Sequence, residues 1–369
     1  MVIGLIILFV MSGFIHSIAQ ETDTPLQKIS RSKWLFVGGN GPGNYSKIQD
    51  ALDNASDGDT VFVYDDSSPY HERIFLLNTI NLIGENKDTT IIDGNNQYPL
   101  VCIAASQCLI RNFSIINSQA PAIRISSNKN KIENNIISMF EDYQYNDFVH
   151  GLDINGYKNS ILNNTIIGVH FERTNGIRLS DSDDTLIYGN NISNFMQGIL
   201  IENDCISTMI EKNHIYSAWT GIWDYQAQGT YIIDNTVEYI SFEGIEVRWD
   251  TFGKISGNTV QFCRTGIRLF WPCTNFLVSE NYIKNNDIGF YILDSYENTI
   301  IRNDFYDPVQ FVYEGLVGSS HNKWMRNFWN GSLGIFPKII RGESNYFPCI
   351  NVDWFPAVFP HYRPFKNIL

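Results

Sequence analysis

Seven asparagines, Asn164, Asn190, Asn213, Asn235, Asn258, Asn281 and Asn303, recur in or close to an Ile-x-x-Asn-x-Ile/Val context, and the last six are 23, 22, 23, 23 and 22 residues apart. Asn112, Asn134 and Asn327 extend the series more weakly. A second column runs beside it: Gly151, Gly176, Gly198, Gly221, Gly244, Gly266 and Gly289. Two independent markers holding one period exclude chance repetition, and a period near 22 is too short for the common helical repeats. The segments between the markers alternate apolar and polar residues, as strands do. Such a chain folds as an all-β coil of short parallel strands, each stacked on its equivalent one turn away at about 4.8 Å. The asparagines are expected to form a hydrogen-bonded ladder at a turn, since asparagine carries donors and acceptors and tolerates left-handed dihedrals. The glycines are expected to mark a sharp bend before the next strand.

The count is interrupted between Asn134 and Asn164, where the surplus includes residues 140–148, and between Asn164 and Asn190, around His170 to Arg173. Insertions in repeat proteins map to surface loops, often on the binding side.

Before the repeats, Ile48, Ala51 and Leu52 fall at helical spacing with Asn44 or Ser46 as an N-cap. The Asp57-Gly58-Asp59-Thr60 turn and a strand from Val61 follow. A helix here would cover the open end of the coil, whose core and strand edges are otherwise bare. The glycine-rich Gly38 to Gly43 lacks the Gly-Lys-Ser/Thr of a phosphate loop. Around and after Asn327 the chain is crowded with Trp324, Phe328, Trp329, Phe336, Trp354, Phe355 and Phe359 among repeated prolines, which predicts an aromatic wrap at the far end; a glycan-stacking surface is the functional rival.

Met1 to Ala19 is apolar with small residues at Ser17 and Ala19, a cleavable export signal, or alternatively an uncleaved anchor. The expected layout is a signal peptide at 1–19, a linker at 20–33, first coils at 34–100, repeats at 101–330 and a closing tail at 331–369. With 26 basic and 39 acidic residues the net charge is −13, which excludes nucleic acid as a natural partner. No second long apolar run predicts a transmembrane span in the mature chain. The six cysteines offer Cys102 with Cys108 and Cys263 with Cys273 as neighbours, leaving Cys205 and Cys349; pairing and buried free thiols are both open. Without CxxC or nearby histidines, no metal site is expected.

The units Gly221-Ile222, Gly244-Ile245 and Gly266-Ile267, with Asn235, Asn258 and Asn281, resemble the right-handed parallel β-helix proteins, the pectin-lyase-like superfamily. Val37 to Tyr45, Ile48 to Ala51 and Gly58 to Val61 resemble the N-terminal cap of NosD-like exported repeat proteins, many from archaeal cell surfaces, and Asn351 to Ala357 is similar to a closing motif of that group. The resemblance implies a secreted or cell-surface single-stranded right-handed β-helix of 22–23-residue coils. It implies activity only broadly, because relatives include polysaccharide lyases, hydrolases, epimerases and adhesins. The copper attached to the NosD name finds no His, Met or Cys cluster in this sequence.

Superfamily enzymes hold substrate along one outer sheet face. If Ile222, Ile245 and Ile267 point inward, alternation turns Asp153, Arg178, Leu200, Trp223, Glu246, Arg268 and Tyr291 outward in one column. Ser180, Glu202, Tyr225, Arg248, Phe270 and Leu293 form the next. Rings to stack on, carboxylates for proton transfer and arginines to neutralise uronates are what a saccharide groove needs, with a polysaccharide or cell-surface glycan as partner. Glu246, Arg248, Arg268 and Asp224 are the catalytic candidates, and Trp223, Tyr225, Glu202, Arg178 and Tyr291 the substrate-binding ones. Glu246 and Arg268, one rung apart, equally suit an ordinary cross-strand ion pair. Glu202 with Glu246 is the pair that would approach hydrolytic spacing. A lyase would use calcium, for which Glu246 and Asp250 beside Arg248 and Arg268 form an unspecific set. Asp224 stands in a column of aliphatics, so an early bend exposing it is expected; buried instead, it would have a raised pKa. His150 and His170 lie near the insertions and could line the groove, whereas His214 sits in a ladder strand. The rival from another class is a non-catalytic structural or adhesive surface protein.

Overall fold

The computed structural model describes residues 32–95, 100–118, 121–139, 149–169, 173–313, 321–344 and 349–361. The stretch expected to be an export signal, both insertions proper and His170 lie outside them. Within them the chain is a right-handed parallel β-solenoid of about twelve turns, with almost no helix.

Each turn contributes three short strands to three stacked faces. The first face precedes the ladder asparagine, as in Leu186–Tyr188, Met209–Glu211 and Tyr231–Ile233. The second follows it, as in Asn191–Ser193 and His214–Ala218. The third carries the glycine column, as in Thr174–Ser180, Gln197–Glu202 and Thr220–Tyr225. In two turns the second and third strands run together, as Thr236–Arg248 and Thr259–Phe270. Pairing between turns is parallel and equivalent residues face each other: Ile222 opposes Ile245, which opposes Ile267. Those three, with Ile187, Ile210, Ile232 and Ile255 of the first face and Ile192, Ile215, Val237 and Val260 of the second, are fully buried. Each contributes about 1.5–3 kcal/mol of hydrophobic stabilisation. One apolar core runs along the described solenoid.

The asparagine ladder is continuous from Asn135 through Asn164, Asn190, Asn213, Asn235, Asn258, Asn281, Asn303 and Asn327. Each side-chain oxygen accepts the main-chain and side-chain N–H of the previous asparagine. Asn258 Oδ1 takes Asn235 N at 2.9 Å and Nδ2 at 3.0 Å, and Asn258 Nδ2 donates in turn to Ile232 O and to Asn281 Oδ1, both at 2.9 Å. Every amide of the ladder is thereby paired, which is the condition for placing amides in a core. Asn112 and Asn134 are not ladder members. They precede it by one residue and take the left-handed conformation, φ 64° and 52°, while Asn135 and Phe113 occupy the inner position. The left-handed dihedral thus belongs to the neighbour of the ladder asparagine.

The glycine column has a steric cause instead of the expected bend. Gly221, Gly244 and Gly266 lie inside extended strands, and a Cβ on Gly244 would sit 2.7 Å from Gly266 O and 2.6 Å from Val260 Cγ1. The stacked glycine carbonyls leave no room for a side chain.

Helix Ile48–Asp53 buries Ile48, Ala51 and Leu52 as expected, but neither Asn44 nor Ser46 caps it. The N-cap position is Lys47, and the Glu72 carboxylate accepts the N–H groups of Ile48 at 2.8 Å and Gln49 at 3.0 Å. In the tail, Trp324 and Trp329 are buried against Phe290 and Phe305, with Phe305 and Trp329 stacked at 4.8 Å. Phe336, Trp354, Phe355 and Phe359 are exposed instead of wrapped. Lys338–Ser344 pairs antiparallel with Cys349–Asp353, the last strand pair. Cys102, Cys108, Cys205, Cys263 and Cys273 are free thiols.

Candidate functional site

The third face places the expected columns in register. Asp153 opposes Arg178, Arg178 opposes Leu200, Leu200 opposes Trp223, Trp223 opposes Glu246, Glu246 opposes Arg268 and Arg268 opposes Tyr291. Tyr225, Arg248, Phe270 and Leu293 form the second column. The face divides into two regions with different chemistry.

Toward the C-terminal end, arginines and rings interleave. The Arg248 guanidinium lies over Phe270 at 4.7 Å and Trp223 at 5.4 Å, and that of Arg268 over Phe270 at 4.0 Å and Tyr291 at 5.3 Å. Tyr225 meets Trp249 edge-on at 5.2 Å, and Trp271 stacks on Phe270 at 4.8 Å. Trp249 and Trp271 sit at corners with left-handed φ of 54° and 41°, an uncommon conformation for a bulky residue. On the opposite edge Tyr239 and Phe262, also left-handed, stack at 4.9 Å with planes 5° apart. Their predecessor at this corner is the small Ser217, φ 52°.

The carboxylates of this region are closed by arginine. Glu246 is only 3% exposed, bonded to Arg248 Nε and 3.8 Å from Arg268 Nη1, and burial holds its carboxyl above the usual range, against the pull of Arg248. Arg268 Nη1 also holds Glu243 at 3.0 Å.

Toward the N-terminal end lies a cavity of about 440 Å³. A charged row crosses it: Arg124 Nε stands 3.4 Å from Asp153, Arg178 Nη1 bonds Asp153 Oδ1 at 2.8 Å, and Arg178 Nε bonds Glu202 Oε1 at 2.8 Å. Pro121 and Leu200 supply apolar wall, and His150 with Asn175 the remainder. Asn175 Nδ2 contacts His150 Nδ1 at 3.1 Å, and burial pushes the imidazole down to about 4. Asn175 Oδ1, with almost no exposure, meets no hydrogen-bond donor.

Of the residues expected at the site, Trp223, Tyr225, Glu246, Arg248, Arg268 and Tyr291 come together in the first region, and Arg178 and Glu202 in the second. Glu202 and Glu246 each answer an arginine instead of flanking an open bond. The early bend at Asp224 does not occur: it pairs in register between Ile201 and Val247 and is fully buried. Burial and the neighbouring Asp250 hold its carboxyl well above the usual range, and neither oxygen meets a partner at hydrogen-bond geometry. With no exposed surface it touches no substrate. Asp250 is buried too, accepting N–H groups from Gly229 at 2.9 Å and from Thr251, so it does not join Glu246 in a calcium set. His150 is expected beside the insertions as a groove-lining candidate, whereas the cavity's Asn175 and Arg124 were absent from the expected site. Their only signal was the in-register row Arg124–Asp153–Arg178 beside the unequal repeat spacings.

The family model described as "Periplasmic copper-binding protein (NosD)" matches residues 52–251, and that described as "Right handed beta helix region" matches residues 197–322. Comparison with curated proteins gives no match. Among solved structures, the Dettilon tailspike protein is 13% identical with a TM-score of 0.52, over 84% of this chain and 72% of that one. A mannuronic acid specific polysaccharide family 6 lyase from human gut microbiota is 12% identical with a TM-score of 0.50, over 80% and 86%. At these identities the likeness is one of fold alone. The side chains do not fit the copper in the first description. Among the described residues no three His, Cys, Asp or Glu converge, and the sulfurs of Cys108, Cys205, Cys263 and Cys273 bond main-chain carbonyls. Since the first match spans more than half of the 369 residues, the chain belongs to the NosD family of β-helix repeat proteins.

Proposed function

We propose that this is an exported or cell-surface protein that binds a polysaccharide along its third face, without cleaving it. The observation that carries this reading is the interleaved tract of Trp223, Tyr225, Arg248, Phe270, Arg268 and Tyr291, edged by Trp249 and Trp271. Rings present flat apolar surface to the C–H faces of sugars, and guanidiniums held over rings keep N–H groups free for hydroxyls. Binding is favoured over catalysis because Glu202, Glu243 and Glu246 are each engaged by an arginine, which leaves no open carboxylate pair. The structural or adhesive alternative needs the solenoid but not this tract.

A glycan array on the mature chain, with and without calcium, tests the reading. Binding is expected to at least one polysaccharide in both conditions, and Trp223→Ala is expected to weaken it by about tenfold, from one lost stacking platform. An array with no bound glycan in either condition sinks the reading in favour of the structural alternative. Product release from a bound glycan would instead restore catalysis.

A further inference from the structure

We propose that the cavity on the N-terminal half of the third face is a distinct subsite for one neutral, hydroxyl-rich sugar unit, not for a uronate. The proposal rests on the third face being glycan-binding, and adds the class of ligand. Its size, about 440 Å³, falls within the roughly 300–1,000 Å³ of ordinary small-ligand sites. Its charges cancel: Arg124 and Arg178 face Asp153 and Glu202 in one continuous row. His150, pushed down to about 4 by burial, adds no charge at neutral pH. An anionic sugar would meet two carboxylates already using the arginines, and a cationic one would meet the two guanidiniums. A neutral ring needs neither charge displaced. Adjacent hydroxyls can each donate a hydrogen bond to Asp153 or Glu202 and accept one from Arg178.

The second observation is Asn175 Oδ1. Asn175 lines the cavity, and its Oδ1, almost wholly buried, lacks a donor, a costly state unless a ligand supplies one. A sugar hydroxyl is a donor of the right kind and charge. Leu200 and Pro121 give the C–H face of the ring its apolar support. The tract around Trp223 carries an unpartnered donor, Trp223 Nε1, in place of an unpartnered acceptor, so the two regions would hold different parts of one glycan.

Saturation-transfer NMR and titration calorimetry on the mature chain, using methyl glycosides of neutral hexoses and the matching hexuronates, provide the test. Neutral hexosides are expected to bind, and hexuronates to bind about tenfold more weakly. Asn175→Leu, which removes the acceptor at similar volume, is expected to weaken hexoside binding by about fivefold or more. Leu200→Trp, which fills the cavity from the outer column, gives the same loss without touching a buried amide. Equal or tighter uronate binding, no hexoside binding, or hexoside binding unaffected in both variants overturns the proposal. If a polysaccharide still binds and responds to Trp223→Ala while both cavity variants leave it unchanged, the subsite falls and the tract stands; if no glycan binds at all, both fall.

Discussion

Asp224 sits where its column holds Leu179, Ile201, Val247 and Leu269, and burial raises its carboxyl well above the usual range because ionisation in that core is costly. Its folded-state pKa lies above the unfolded value, so the native chain binds more protons than the unfolded one in the interval between the two. Stability therefore falls as pH rises from the unfolded pKa, about 3.9, through the folded one. Asp250, also raised by burial, acts with the same sign. Asp224→Val is expected to raise stability at pH 7 by on the order of 2 kcal/mol and to flatten the decline above pH 4, read by denaturant unfolding across pH. A destabilised variant would mean that the acid pair holds the corner together. The sequence exposes Asp224 as the odd member of an aliphatic column. Which way it turns was not legible, because alternation and burial cost point in opposite directions and only the continuous register with Ile201 and Val247 decides between them.

At the level of the strand, the glycine column illustrates how a correct position can carry a wrong reason. Its period is plain in the sequence, but the contact that demands glycine is with the carbonyl of the next turn, 22 or 23 residues away for Gly221, Gly244 and Gly266. Gly244→Ala would press a methyl onto Gly266 O and Val260, an overpacking expected to cost about 1–3 kcal/mol, measurable as a lowered unfolding midpoint. An unchanged midpoint would show that the stacked strands can part freely. The ladder teaches the converse. In the Asn134-Asn135 doublet spacing alone admits either residue, but the frame Ile132-x-x-Asn135-x-Ile137 fits only Asn135, and the hydrogen bonds place it inside. The outer columns of the third face, by contrast, follow from alternation alone. The cavity does not, because it gathers His150 and Asn175, which lie just before the glycine column, across turns of unequal length.

Across the whole molecule, each turn contacts only its neighbours, so turns are interchangeable parts. Asn235 and Asn258 are 23 residues apart and occupy equivalent places. Deleting residues 236–258 joins Asn235 to Thr259 in register. The shortened chain is expected to retain its β-rich circular dichroism and a cooperative unfolding transition, while losing Glu246, Arg248 and Trp249 and with them glycan binding. Loss of the β signal would show that this turn is needed for the fold itself.

The ladder also has a direction. From Asn135 onward each ladder amide donates to the asparagine of the higher-numbered turn as well as to a carbonyl of the turn before, and the row ends on Asp353, whose Oδ2 accepts Asn327 N at 3.0 Å, Asn327 Nδ2 at 3.1 Å and Trp329 Nε1 at 3.1 Å. The row therefore carries a fixed anion, Asp353, at the end toward which its asparagine-to-asparagine bonds point. Its two ends are distinguishable by charge as well as by sequence, which gives a stack of near-identical turns a defined head and tail.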